Sequence, residues 1–242
     1  MSCRRLAGQT RPGPVQAVLF DMDGVVVDSE PLWFEAEQEV MARLGADWTQ
    51  ADQRALIGGS LHHSVGYLIR RARLPASPEQ VADWLMTAMT RLLGERGVPL
   101  MPGAVELISQ VRATGVPAGL VTSSERIIMN AVLLGLADRG VRFDATVCAA
   151  DVRHPKPHPE PYLVAAGLLG VDAAGCVAIE DSAKGGESAR AAGCAVIIVP
   201  SFEADGLDRL GLVVPMLASV NLAMLAALAE RHTAQKPHRT RA

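Results

Sequence analysis

The stretch that most constrains this 242-residue sequence is Ala17-Val18-Leu19-Phe20, four apolar residues running straight into Asp21-Met22-Asp23-Gly24. A short unbroken apolar run of this kind reads as a strand buried on both faces. It stops at two acids spaced i, i+2, which share one face of an extended chain. A slight turn at Met22 brings both round one point beyond the strand end, and Gly24 lets the backbone turn sharply there. Two carboxylates so close repel, so holding both ionised needs a cation or a shared proton. The plainer reading is a strand running into an acidic turn, since Asp and Gly are ordinary turn residues. Against it stand the length of the pattern, FDMDGVVVDSEPLW, and the partners it finds further on.

Around that strand the chain divides into segments of different character. Residues 1–16 and 231–242 are basic, hold no acid, and read as disordered tails. Between 31 and 97 the apolar spacing is helical throughout. Pro31 opens a helix with Leu32, Trp33, Ala36, Val40, Met41 and Leu44 on its apolar face, and helical stretches near 49–57, 61–73 and 78–95 follow. Residues 31–97 are therefore expected to form a small all-helical insert. From 98 to 230, helices alternate with short apolar strands near 116–122, 144–149, 176–180, 195–199 and 212–214. This alternation predicts an α/β fold: a doubly wound, Rossmann-like parallel sheet built from 17–30 and 98–230, with helices on both sides. Ligands of such sheets sit beyond the carboxyl ends of the strands.

Bulk properties narrow the function classes. A hydrophobic content of 49% can bury a sizeable core. No apolar run approaches the roughly 18 residues of a membrane span, and the first residues lack the apolar stretch of a secretory signal. Seven cationic residues lie in the two tails, so the formal charge of −3 becomes −10 over residues 17–230. An acidic body argues against a nucleic-acid surface. Cys3, Cys148, Cys176 and Cys194 lack CxxC spacing and read as reduced thiols of a cytoplasmic protein.

Three further segments carry polar residues at strand ends or in rigid loops. Thr122-Ser123-Ser124-Glu125 follows a strand and opens a helix. Its hydroxyl and backbone N–H groups suit a phosphate, but taken alone the segment reads first as an ordinary N-cap with Glu125 in a capping box. Lys156 stands between prolines in His154-Pro155-Lys156-Pro157-His158-Pro159-Glu160, one of only three lysines against twenty arginines. It reads as a pre-positioned point charge or as part of a rigid surface loop. His154 and His158 suggest a metal pair, but no third ligand shows at suitable spacing, so solvated histidines are expected. Glu180-Asp181-Ser182 ends another strand, as a helix-start charge pair or as a hard-cation site.

In order and spacing, these four segments resemble the motifs of the haloacid dehalogenase superfamily over roughly residues 17–200. FDMDGVVVDSEPLW and KPHPEPY…EDSAKG are most similar to its β-phosphoglucomutase-like branch, particularly the small sugar-phosphate phosphatases. The resemblance implies that Asp21 is the nucleophile and Asp23 the acid and base. It implies that Thr122, Ser123 and Lys156 serve the phosphate, and that Mg²⁺ is held by Asp21, Asp23, Glu180 and Asp181. The helical insert becomes a cap, with Glu30, Trp33, Gly58, Gly59 and His62 as candidate specificity residues. The partner implied is a small phosphate ester, handled by a monomer without nucleic acid or membrane. A hexose-phosphate mutase and a non-catalytic phosphometabolite-binding regulator remain alternatives. Against the mutase, Trp33 stands where those enzymes carry a cap histidine, and no arginine follows Gly58-Gly59 until Arg70. Asp23 argues against a dehalogenase, and the absence of lysine from 31–97 argues against a phosphonatase.

Overall fold

The computed structural model describes residues 15–56, 59–201 and 206–234. Its centre is the expected strand, β1 (Ala17–Phe20), every residue of which is buried. It pairs in parallel with β2 (Ala118–Val121) on one side and β4 (Cys176–Glu180) on the other. The sheet continues through β3 (Ala145–Val147) beyond β2, and through β5 (Ala195–Ile198) and β6 (Leu212–Val213) beyond β4. All pairings are parallel, in the order β3-β2-β1-β4-β5-β6. The winding therefore reverses at β1, and the crevice beyond its carboxyl end is where such a sheet opens to a ligand.

Alternation along each strand builds two cores. Val18 and Phe20 face one, with Leu120, Val177, Ile179 and Ile197, under α5 (Ala104–Ala113), α6 (Arg126–Ala137) and α9 (Leu222–Ala234). Ala17 and Leu19 face the other, with Ala178, Val196 and Ile198, under α7 (Glu160–Leu168) and α8 (Ala183–Ala192). Each large side chain so buried contributes roughly 1.5–3 kcal/mol.

Four helices lie between β1 and α5: α1 (Glu30–Arg43), α2 (Gln50–Arg54), α3 (Leu61–Arg71) and α4 (Pro78–Arg96). Thr49 and Ser77 each close a capping box, with Asp52 and Gln80, which fixes the starts of α2 and α4. The two connections to the sheet run side by side, with Asp28 N–H bonded to the Pro99 carbonyl and Met101 N–H to that of Val26.

The ends differ from the sequence expectation. Gln16 N–H bonds to the Gly175 carbonyl, and α9 runs through Arg231 and His232 to Ala234 instead of ending at 230. Basic residues suit the last turn of a helix, where carbonyls are left over, and His232 Nε2 lies 2.8 Å from the Gly193 carbonyl. The remaining tail residues, 1–14 and 235–242, and Gly58 fall outside the described residues. Cys148, Cys176 and Cys194 are buried thiols. Among the described residues, no helix is long and apolar enough to cross a membrane.

Candidate active site

Beyond β1 the chain makes a tight turn in which Val26 and Val27 N–H both bond to the Met22 carbonyl. Met22, Val25, Val26 and Val27 are fully buried, so this apolar turn is clamped into the core and presents Asp21 and Asp23 beside one another. Gly24 has φ +79°, a left-handed value that glycine adopts without strain. A Cβ there would also collide with Asp181 Oδ2 and Ser201 Oγ. Glycine is thus what lets Asp181 approach the turn.

The chain end of β4 delivers Glu180 and Asp181 against Asp21, and the carboxylates of these three residues lie within 4.8 Å of one another. Lys156 closes on them from the loop before α7. Its Nζ donates to Asp21 Oδ1 at 2.5 Å, to Glu180 Oε1 at 2.6 Å and to the Val121 carbonyl at 3.0 Å, spending all three donors of the ammonium. Tyr162 Oη also donates to Glu180 Oε1, at 2.5 Å. Glu180 is completely buried, and Gly185 leaves the space its carboxylate fills. Burial, then Glu180, pushes Asp21 well above the usual carboxylate range, with Lys156 opposing. Asp181 is raised to about 7 by burial and then by Glu180. Burial alone would lower Lys156, but Asp21 and Glu180 more than reverse it.

Three carboxylates against one ammonium leave two negative charges unbalanced. Asp21 Oδ2 and Asp181 Oδ1 accept no hydrogen bond from any described residue. This donor set fits a hard dication with oxygen ligands.

Asp23 is held differently. Its Oδ1 accepts from Ser29 Oγ at 2.6 Å, and its Oδ2 from Ser124 Oγ at 2.7 Å and Thr122 Oγ1 at 3.2 Å. Thr122 is therefore not the cap of α6, whose N-cap is Glu125 without a side-chain bond. Ser29, at the N-cap of α1, likewise makes no cap bond; its hydroxyl goes to Asp23. Ser123 lines the cavity beside them.

The cavity holds some 870 Å³ of unfilled space, part of it open to solvent. Asp21, Asp23, Lys156 and Asp181 form its floor, while Glu30, Trp33, Glu37, Gln53, Leu61 and Met86 from α1–α4 form the facing wall. Of the proposed specificity residues, Glu30, Trp33 and Gly59 reach it, and Gly58 is not described. His62 does not reach it. On the first turn of α3, Leu61 and Ser64 share the inward face, and His62 lies about 100° round the helix, exposed.

Sequence reasoning missed Ser29, Ser124, Tyr162, Glu37, Gln53 and Lys184 as residues of this region. Serines, glutamates and glutamines are too common for position alone to single them out. Lys184 had a signal in the scarcity of lysine. The histidine pair also needs correction: Glu160 is a third group beside His154 and His158. Its carboxylate accepts from Arg153 and His154 N–H and lies 2.8 Å from His154 Nδ1, because the loop folds back on the start of α7. Glu160 thereby latches the loop that carries Lys156.

Residues 18–199 match the family described as haloacid dehalogenase-like hydrolase. The chain belongs to this family. Hexitol phosphatase B of Escherichia coli K12 is 36% identical over 220 residues, covering 90% of this chain and 96% of the relative. CbbY of Rhodobacter capsulatus is 32% identical over 207 residues, 80% of this chain and 89% of the relative. The crystal structure of CbbY from Rhodobacter sphaeroides in complex with xylulose 1,5-bisphosphate superimposes with a TM-score of 0.76 at 26% identity, over 87% of this chain and 99% of that one. Within the family the chain falls in the branch of the sugar-phosphate phosphatases and β-phosphoglucomutase-like proteins, and it is an enzyme of the phosphatase type.

Proposed function

We propose that the protein is a Mg²⁺-dependent phosphatase of small phosphorylated sugars or sugar alcohols, working through an aspartyl-phosphate on Asp21. The observation that carries this reading is the junction at β1: a lysine-anchored carboxylate beside a second acid held by three hydroxyls. Lys156 holds Asp21 Oδ1 and so orients the carboxylate that attacks phosphorus. Asp23, oriented by Ser29, Thr122 and Ser124, gives a proton to the departing alcohol oxygen. It then takes one from the water that cleaves the aspartyl-phosphate. The Ser123 N–H would serve phosphate oxygens, joined by the Thr122 hydroxyl once it leaves Asp23, with Lys156 neutralising charge on the nucleophile's side. Asp21, Asp23, Glu180 and Asp181 would hold Mg²⁺, which would supply the positive charge that phosphoryl transfer needs. Helices α1–α4 act as the lid that excludes bulk water from the leaving group.

Hydrolysis is favoured over mutase chemistry because no arginine lines the cavity among the described residues and its one lysine besides Lys156, Lys184, stands on the core side and not on the α1–α4 wall. The hexitol phosphatase relative directs the first substrates to try. Phosphate release from a panel of hexitol and hexose phosphates is measured with Mg²⁺ and again with excess EDTA. Turnover restored by Mg²⁺ after chelation supports the reading; full activity in EDTA refutes it. With β-glucose 1-phosphate and a trace of the 1,6-bisphosphate, glucose 6-phosphate forming faster than free phosphate would show a mutase.

A further inference from the structure

Glu30, Trp33 and Glu37 lie three and four residues apart on α1, on one helix face, and all three line the cavity. From Glu30 to Glu37 is two turns, about 10 Å, so the stripe leads away from the reaction centre along the length of an extended ligand. Its start is fixed by Ser29, bonded to Asp23. Two glutamates on the wall of a substrate cavity are unusual company for a phosphate ester, and each is held by a neutral donor. Gln53 Nε2 donates to Glu30 Oε2 at 3.0 Å and to the Glu30 carbonyl at 2.7 Å. Trp48 Nε1 donates to Glu37 Oε2 at 3.1 Å. Glu37 is only 4% exposed.

These bonds use one oxygen of each carboxyl. Glu30 Oε1, Glu37 Oε1 and Gln53 Oε1 accept nothing from any described residue. Since no buried side-chain oxygen is left unpartnered among the described residues, these three open onto the cavity. A wall of acceptor oxygens wants donors.

We propose that Glu30, Glu37 and Gln53 form a polyol-reading subsite, which hydrogen-bonds the hydroxyls of a neutral leaving group and turns away a second phosphate. A hydroxyl both donates and accepts, so it satisfies such oxygens whatever their protonation. A phosphate dianion only accepts, so it leaves each unprotonated acceptor oxygen of this wall unpaired and is repelled wherever a glutamate is ionised. Trp33 offers its ring to the carbon backbone of the same ligand. This rests on the phosphatase reading above and narrows its substrate to hydroxyl-rich monophosphates.

The test compares kcat/KM for a hexitol 6-phosphate, p-nitrophenyl phosphate, fructose 1,6-bisphosphate and glucosamine 6-phosphate. The wild-type protein should prefer the hexitol monophosphate to the bisphosphate. Glu37→Leu should lower the hexitol-to-nitrophenyl ratio by about 10–100-fold, mainly through KM. Glu37→Gln keeps the shape and an acceptor for Trp48, so it should recover much of that ratio and guards against a folding defect. An unmoved ratio, an equal fall for both substrates, or a preference for the amino sugar overturns the subsite. Phosphate release from p-nitrophenyl phosphate shows separately that the phosphatase reading holds. If no substrate turns over, calorimetric binding of the hexitol phosphate to the Asp21→Asn protein, with and without Glu37→Leu, still decides the inference. Equal affinity there overturns it.

Discussion

The floor and the facing wall of the cavity both bury acids, and they solve the problem in opposite ways. On the floor, Asp21 and Glu180 share one ammonium, all of whose donors are spent on fixed oxygens. On the wall, Glu30 and Glu37 have only an amide and an indole. Burial raises Glu30 to about 7 and Glu37 to about 8, with Asp23 and Glu30 respectively adding repulsion. A charged partner makes a rigid centre suited to covalent chemistry. Neutral partners leave adaptable groups suited to recognising hydroxyls. The same residue type therefore takes two roles, and the partner decides which.

The contrast breaks most completely at the nucleophile. Asp21→Asn should cut turnover by about a thousandfold or more, because a neutral amide is too weak a nucleophile to form the acyl phosphate. Circular dichroism should show the fold intact. Near-normal kcat in that variant would mean the floor is not the reaction centre.

Lys156→Met removes the charged partner that the floor has and the wall lacks. It strands Asp21 and Glu180 in the interior, which should cost about 3–5 kcal/mol of stability in urea unfolding. If the midpoint does not move, the ammonium is not what holds these carboxylates together.

Gly24→Ala sharpens the comparison from the metal side. The left-handed backbone alone costs roughly 1–2 kcal/mol with a side chain, and the new methyl displaces Asp181. The Mg²⁺ concentration for half-maximal activity should rise by about tenfold. An unchanged Mg²⁺ titration would show that Asp181 does not need its present position.

The smallest effect lies on the wall. Folded Glu37 keeps its proton up to about pH 8, while an ordinary glutamate releases it near 4.5. Over that window the unfolded state binds fewer protons, so stability falls as pH rises. Glu37→Gln should remove part of this slope when urea midpoints in EDTA are compared at pH 5 and pH 8. An identical slope would mean that Glu37 is not buried as a neutral acid.

The chain's own pattern determined a good deal of this molecule. An apolar run too short for a helix and too continuous for a surface strand marked β1 as the sheet's centre. Regular alternation of strand and helix after residue 98 then required a parallel sheet, because such crossovers allow little else. Asp21, Asp23, Thr122, Lys156, Glu180 and Asp181 were visible because each follows a strand or sits in a stiff loop, where local order says where a side chain will be. Tertiary structure alone decided how they are partnered. Thr122 by itself read as a helix cap until Asp23, 99 residues away, proved to hold its hydroxyl. His154 and His158 lacked a third group until the loop folded Glu160 onto them. Glu37 carried no signal in the sequence, and only the fold set it against Trp48 and the cavity. Local sequence carries periodicity and backbone stiffness, but the pairing of a buried polar group depends on which distant segment packs against it, and that is settled only when the chain closes.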